Sequence, residues 1–136
     1  MTEPERRRVV ELIEARKGGI LEALQEHNLI ADDIEWWAAG PPDLLPWAGT
    51  FRGPDGIQRW FELLGGAVEY DQFKPLELIA QGDSVVELIH AAGHAKGTGG
   101  RFESDAARVW TIRDGKVVRV RSFYDTYAYV SALHGT

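Results

Sequence analysis

The sequence predicts an α+β fold: a cone-shaped, curved antiparallel or mixed β-sheet packed against three helices from the N-terminal half and enclosing an apolar cavity. Three observations predict it. Period-3.6 apolar patterning is confined to the first half of the chain. Long period-two segments separated by turn residues fill the second half. Five Trp among 136 residues supply more aromatic bulk than a core of this size ordinarily needs. Helices first and strands afterwards imply α+β rather than alternating α/β. The length suits one domain spanning 1–136, at roughly 100–200 residues per domain.

The elements follow in order. Pro4 to Lys17 reads as a helix with Val9, Val10, Leu12 and Ile13 as its apolar stripe, and Gly18-Gly19 ends it. Ile20 to His27 is a second, shorter helix, and Asn28 stands at its stop. Ile34 to Ala39 is a short strand. The loop from Gly40 to Gly49 is rich in Pro and Gly yet carries Leu44, Leu45 and Trp47, so it is expected to fold down over the body. A third helix runs from Ile57 to about Gly65, with Ile57, Trp60, Phe61 and Leu64 at i, i+3, i+4 and i+7. Four strands follow: Glu69–Ala80, with Pro75 marking an edge or bulge, Ser84–Lys96, Arg101–Arg113 and Lys116–Tyr129. Asp114-Gly115 is the hairpin signal before the last.

Composition removes several function classes. Fifteen Lys+Arg against 21 Asp+Glu give a formal charge of −6, which argues against nucleic acid as a partner. With no cysteine there is no disulfide scaffold, thiol nucleophile or Cys-ligated metal. No apolar run approaches the roughly 20 residues of a membrane span. Met1-Thr2-Glu3-Pro4-Glu5 lacks the basic start of a signal peptide, so a cytoplasmic location is expected. His90 and His94 share the i, i+4 spacing of a helical metal site, but on a strand that spacing is roughly 13 Å, so no metal is expected. No Walker, dinucleotide or serine-elbow pattern is present, and no cofactor is expected.

Several stretches, in order along nearly the whole chain, carry a family likeness. They are Asp32-Asp33-Ile34-Glu35-Trp36-Trp37, Leu45-Pro46-Trp47-Ala48-Gly49-Thr50-Phe51-Arg52-Gly53, and Asp55-Gly56-Ile57 to Trp60-Phe61. Gly82-Asp83-Ser84-Val85-Val86, Arg113-Asp114-Gly115-Lys116-Val117-Val118 and Arg121-Ser122-Phe123-Tyr124-Asp125-Thr126 complete the set. Together they resemble the SnoaL-like, ketosteroid-isomerase-related proteins of the nuclear transport factor 2-like fold. The resemblance implies isomerases, polyketide cyclases, dehydratases, epoxide hydrolases or non-catalytic modules, so fold alone does not choose. It also implies where acid and base would stand. The isomerases' general-base Asp falls on Trp36, which cannot take a proton. Their acid, and the cyclases' His, fall on Arg108. The cyclases' second group, an Asp, falls on Ser122.

The same matches set the strand registers. Val118, Val120, Ser122 and Tyr124 are expected to face the cavity, as are Ala106, Arg108 and Trp110. On the strand before, Leu88 and His90 are placed inward and Glu87 outward, while His94, near the hairpin, is placed inward with them or else facing solvent. The expected site therefore has Trp36, Trp47, Trp60, Phe61, Trp110 and Tyr124 as walls, with Arg108, His90 and Ser122 as its few polar groups. Arg108 would hold developing oxyanion charge, or else close an internal ion pair with Asp105 or Glu103. His90 would carry a proton, or else be a satisfied core or edge histidine. Asp125 would cap the C-terminal segment or bond an arginine. Two functions remain open. One is a cofactor-independent isomerase, cyclase or dehydratase acting on a small apolar carbonyl or aromatic compound. The other is a non-catalytic hydrophobic-ligand-binding or dimerisation module. Arg119, Arg121, Phe123, Glu87 and Val109 on the outer sheet face are expected to make a homodimer, as the resemblance implies.

Overall fold

A computed structural model describes residues 28–135. The two expected helices over 4–17 and 20–27 lie outside the described residues. Strand β1 (Ile30–Ala38) leads into a loop and the four-residue β2 (Gly49–Arg52), followed by helix α1 (Gly53–Ala67). Strands β3 (Val68–Gln81), β4 (Ser84–Ala95), β5 (Arg101–Arg113) and β6 (Lys116–Tyr124) precede a closing helix, α2 (Thr126–His134). The six strands form one mixed sheet in the order β2-β1-β6-β5-β4-β3, in which β1 and β6 run parallel and every other pair antiparallel.

Local chemistry accounts for most boundaries. Pro54 stands in the first turn of α1, where its missing N–H is not needed. Ile57 and Trp60 are the buried stripe of that helix, which packs on β1 and β2. Strand β3 lies at the sheet edge, where a proline is tolerated, and its register shifts between Pro75 and Glu77. The Gly40–Gly49 loop folds down as expected. Leu45 and Trp47 are fully buried, and the Pro41 carbonyl accepts from the Leu44 and Leu45 amides at 3.0 and 2.9 Å.

Two expectations need correction. Among the described residues there are two helices, not three in the N-terminal half, and the second is C-terminal. The last strand stops at Tyr124 rather than Tyr129. Asp125 Oδ1 accepts from the Ala128 amide at 3.1 Å and starts α2. Thr126-Tyr127-Ala128-Tyr129-Val130 has strand-forming residues, and tertiary contacts override that propensity. Thr98 Oγ1 donates to the Ala132 carbonyl at 2.5 Å. His134 Nε2 lies 2.8 Å from the Leu44 carbonyl, and Tyr129 is buried.

Candidate active site on the concave face

Alternation sorts the sheet into two faces. The inner face carries Trp36 and Ala38 of β1, Val120, Ser122 and Tyr124 of β6, and Ser104, Arg108 and Trp110 of β5. The expected registers of β5 and β6 therefore stand, except near Val118. The β5–β6 register shifts between Thr111 and Ile112, so fully buried Val117 takes the inward place.

Strand β4 is one residue out of its expected register. Val85, Glu87, Ile89 and Ala91 face inward, and Leu88, His90 and His94 face outward. Glu87 is only 2% exposed. The His90 side chain is 26% exposed and lies on the outer face. There its Nδ1 is 2.7 Å from Asp105 Oδ1 and its Nε2 is 3.0 Å from Glu103 Oε2. Hydrogen bonding to Asp105, then to Glu103, pushes the His90 imidazole above its ordinary value. Lys74 stands opposite it on β3. His90 thus does not meet Arg108 in the cavity. Asp105 and Glu103, once expected partners of Arg108, belong to His90.

The slip matters because it brings Glu87 to the site. Glu87 stands directly opposite Arg108, and Arg108 opposite Ser122, which in turn pairs with Ala38. Directly opposed residues have Cβ atoms about 5 Å apart, so one row across the inner face reads Ser122, Arg108, Glu87. Trp110 Nε1 donates to Glu87 Oε1 at 3.3 Å.

Aromatic rings wall this row. Trp36 is fully buried, and its ring centroid lies 5.1 Å from Trp60, 5.6 Å from Phe61 and 6.1 Å from Trp110. The Arg108 guanidinium carbon sits 5.6 Å from the Trp36 centroid, a cation–π distance. Phe61 is 38% exposed and stands at the rim of the cluster. The structure therefore brings together Trp36, Trp60, Phe61, Trp110, Arg108 and Ser122.

Trp47 and Tyr124 close the neighbouring end. Trp47 Nε1 donates to the Tyr124 hydroxyl at 2.8 Å, and that hydroxyl donates to the Ala39 carbonyl. Burial pushes the Tyr124 phenol up to about 12. Beside them is a tyrosine pair the sequence reading did not single out. The Tyr70 and Tyr129 hydroxyls are 3.0 Å apart, and Tyr129 stacks on Phe102 at 4.3 Å. Burial raises both phenols, and the charge of Arg108 acts against that rise. The strand expected through Tyr129 would not bring it here; the helix does. Glu87 was hidden by the slip.

The family model for a SnoaL-like domain matches residues 8–120. The chain belongs to the SnoaL-like domain family. Among solved structures it is similar to an NTF2-like protein from Burkholderia xenovorans LB400. The two share 30% identity over 98% of this chain and 99% of that one, with a TM-score of 0.75. An NTF2-like protein from Burkholderia thailandensis E264 is 31% identical over 98% and 99%, with a TM-score of 0.76. A Mesorhizobium loti protein bearing the name of a SnoaL-like polyketide cyclase shares the fold at 21% identity. That match covers 91% of this chain and 100% of that one, with a TM-score of 0.69. A search of curated protein sequences finds no match. Among the described residues of this SnoaL-like chain, no helix is long and apolar enough to cross a membrane. Nor do any three His, Asp or Glu there form a metal-holding group.

Proposed function

We propose that this SnoaL-like protein is a cofactor-independent isomerase, cyclase or dehydratase-type enzyme that enolises a small apolar carbonyl compound. One observation carries the reading. Buried Glu87 and half-buried Arg108 face one another inside a wall of Trp side chains. One structural neighbour, which bears the name of a SnoaL-like polyketide cyclase, is consistent with it.

In this scheme the substrate's carbonyl oxygen lies against Arg108 and its acidic C–H against Glu87. Glu87 takes the proton from carbon, the electron pair moves into the new C=C bond, and Arg108 stabilises the enolate oxygen. Glu87 then returns the proton to the same or another carbon. Trp110 N–H fixes the carboxylate. His90 has no part in these steps.

The experiment is hydrogen exchange in D2O, followed by proton NMR over a panel of cyclic ketones and enones. The protein is expected to wash deuterium into the α-position of at least one panel member. Glu87→Gln should slow that exchange by about 10²–10⁴-fold, the usual contribution of a positioned base. Arg108→Lys keeps the charge but loses the planar fork, and should slow it by about 10²-fold. His90→Gln should leave it unchanged. Exchange that disappears in the His90 variant and persists in the Glu87 variant would overturn the assignment.

A second reading has its own support. Trp36, Arg108 and Ser122 occupy the places where the resemblance puts the acid and base groups, which suits a binding module without chemistry. Ligand-dependent Trp fluorescence with no exchange on any panel member would select it.

We also propose that the outer sheet face pairs with a second copy of the chain. Leu76, Leu88, Ala107 and Phe123 line a hollow of about 380 Å³ there. Arg121 covers Trp37 and Phe123 at 5.7 and 5.1 Å. A basic flank at Arg119 and Arg121 and an acidic flank at Glu103 and Asp105 lie on opposite sides of this apolar centre. A two-fold axis in the interface plane can lay one flank over the other. Light scattering at micromolar concentration should give a dimer mass, and Phe123→Glu a monomer mass. A monomer mass for the unaltered protein would end this proposal.

A further inference from the structure

The charges on the outer sheet face are laid out symmetrically about one apolar row. Phe123 of β6 pairs with Ala107 of β5, and Ala107 pairs with Leu88 of β4. Strands β5 and β6 run antiparallel. Arg121 and Arg119, two and four residues before Phe123, therefore lie on one side of that row. Asp105 and Glu103, two and four residues before Ala107, lie on the other. Even spacing keeps all four on the same face. A two-fold axis along the apolar row, in the plane of the face, carries Arg121 of one copy towards Asp105 of the other. The same axis carries Arg119 towards Glu103, and each contact occurs twice.

These groups differ in what already holds them. Arg119 Nε is 3.4 Å from Glu35 Oε2. Arg121 makes no ion pair among the described residues. It lies over the Trp37 and Phe123 rings, which steadies the guanidinium and leaves its N–H edges free. Across the row, Asp105 Oδ1 and Glu103 Oε2 grip the two ring nitrogens of His90 at 2.7 and 3.0 Å. Ionised carboxylates only accept, so both contacts are hydrogen bonds only when both ring nitrogens carry hydrogen. The clasp is thus built for the imidazolium. The Asp105 and Glu103 side chains remain 78% and 69% exposed, so each has room for a second donor. The other charges around His90 are Lys74, opposite it on β3, and Glu77, opposite Leu88. Further along β4, His94 lies between Glu69 and Asp71 of β3, and Arg101 of β5 pairs with Asp71.

From this we infer that in the outer-face dimer Arg121 of each copy binds Asp105 of the other and competes with protonated His90 for it, so that two copies join with release of protons. This rests on the dimer proposed above and names its cross-contacts and their dependence on pH. Charge sets the direction. A guanidinium arriving beside Asp105 and Glu103 repels the imidazolium they hold, so His90 keeps its proton less firmly in the dimer than in the free chain. In the free chain, hydrogen bonding to Asp105, then to Glu103, holds the imidazole above its ordinary value of about 6.5. The dimer should therefore tighten as pH rises through that raised value, and level off beyond it.

The test is sedimentation velocity on the full chain, which gives the dimer dissociation constant. That constant should fall at least about tenfold between about pH 6 and about pH 9, as each copy gives up a proton. High salt should shrink the change. His90→Gln should still dimerise, with a constant that moves less than about twofold over the same range. His94→Gln should keep the full dependence. Arg121→Asp and Asp105→Arg should each be monomeric alone, because like charges then meet at both contacts. Mixed in equal amounts they should form a heterodimer, in which both contacts again join opposite charges. Arg121→Gln, which only removes the cation, should dimerise more weakly and lose the pH dependence. It keeps the test open if a reversed charge disturbs the fold. No heterodimer from two folded variants would overturn the inference, and so would a dimer constant that is flat with pH or weakens as pH rises. Those results would leave the outer-face dimer standing. A monomer mass for the unaltered protein at every pH would overturn both.

Discussion

Gly93→Ala is expected to lower the midpoint of thermal unfolding by about 10 °C, for the addition of a single methyl group. Gly93 lies in the middle of β4, opposite Tyr70 on β3 and Phe102 on β5. A Cβ there would collide with the Glu69 carbonyl oxygen and would sit 2.9 Å from the Phe102 ring and 3.0 Å from the Tyr70 Cα. Two of those three neighbours are backbone, so the strands themselves must separate. Overpacking of this kind costs about 1–3 kcal/mol and sometimes more. Each kcal/mol moves the midpoint by roughly 3–5 °C in a chain of this length. The damage should spread to the site, because Phe102 carries the stack on Tyr129, and Tyr129 bonds Tyr70. Gly66→Ala is the control. It lies inside α1 with nothing within 4 Å of the added carbon. There a Gly-to-Ala change stabilises by about 0.5–1 kcal/mol through helix propensity. Calorimetry on the two variants checks both signs. A Gly93 variant as stable as the parent would show that the β3–β4 edge yields.

What was legible in the sequence followed from repeating signals. The α1 stripe, the Pro75 interruption, the Asp114-Gly115 turn and the alternation of β5 and β6 each rest on several residues that agree. Trp36 and Trp37 alternate as a strand requires, one in the aromatic cluster and the other under Arg121 on the outer face. The parts that were not legible have two physical causes. Strand β4 reads as apolar on both faces around one acid and two histidines, so its pattern cannot fix the phase. A slip of one residue exchanges Glu87 for His90. Helix α2 is the other case. Its aromatic, β-branched sequence suits a strand, and the Asp125 cap, Thr98 and buried Tyr129 hold it as a helix. Both differences fall on residues of the concave face, Glu87 and Tyr129.

Removing either member of the Glu87–Arg108 row should cost more stability than removing both. Glu87 is 2% exposed and lies opposite Arg108 in a wall of indole rings. Arg108→Leu takes away the guanidinium and leaves a carboxylate buried across from a hydrocarbon. Losing the facing cation weakens the compensation of a buried carboxylate, and breaking an arrangement of this sort costs up to about 3–5 kcal/mol. Half-burial of Arg108 puts the expected loss at the lower end, about 3 kcal/mol, by the same reasoning. Glu87→Leu should cost about as much, since it also strands the Trp110 N–H. The Glu87→Leu/Arg108→Leu double variant replaces both charges with apolar bulk and should recover to within about 1 kcal/mol of the parent. Urea unfolding of the four proteins measures the coupling directly. Additive losses, near 6 kcal/mol in the double variant, would mean that the two groups do not interact. The recovered protein then bears on why the row exists. A chain that can replace these charges with leucine at little cost does not need them to fold. If the double variant is stable yet exchanges no deuterium, the charges serve the ligand, and the fold supplies only the dry aromatic wall that makes them strong.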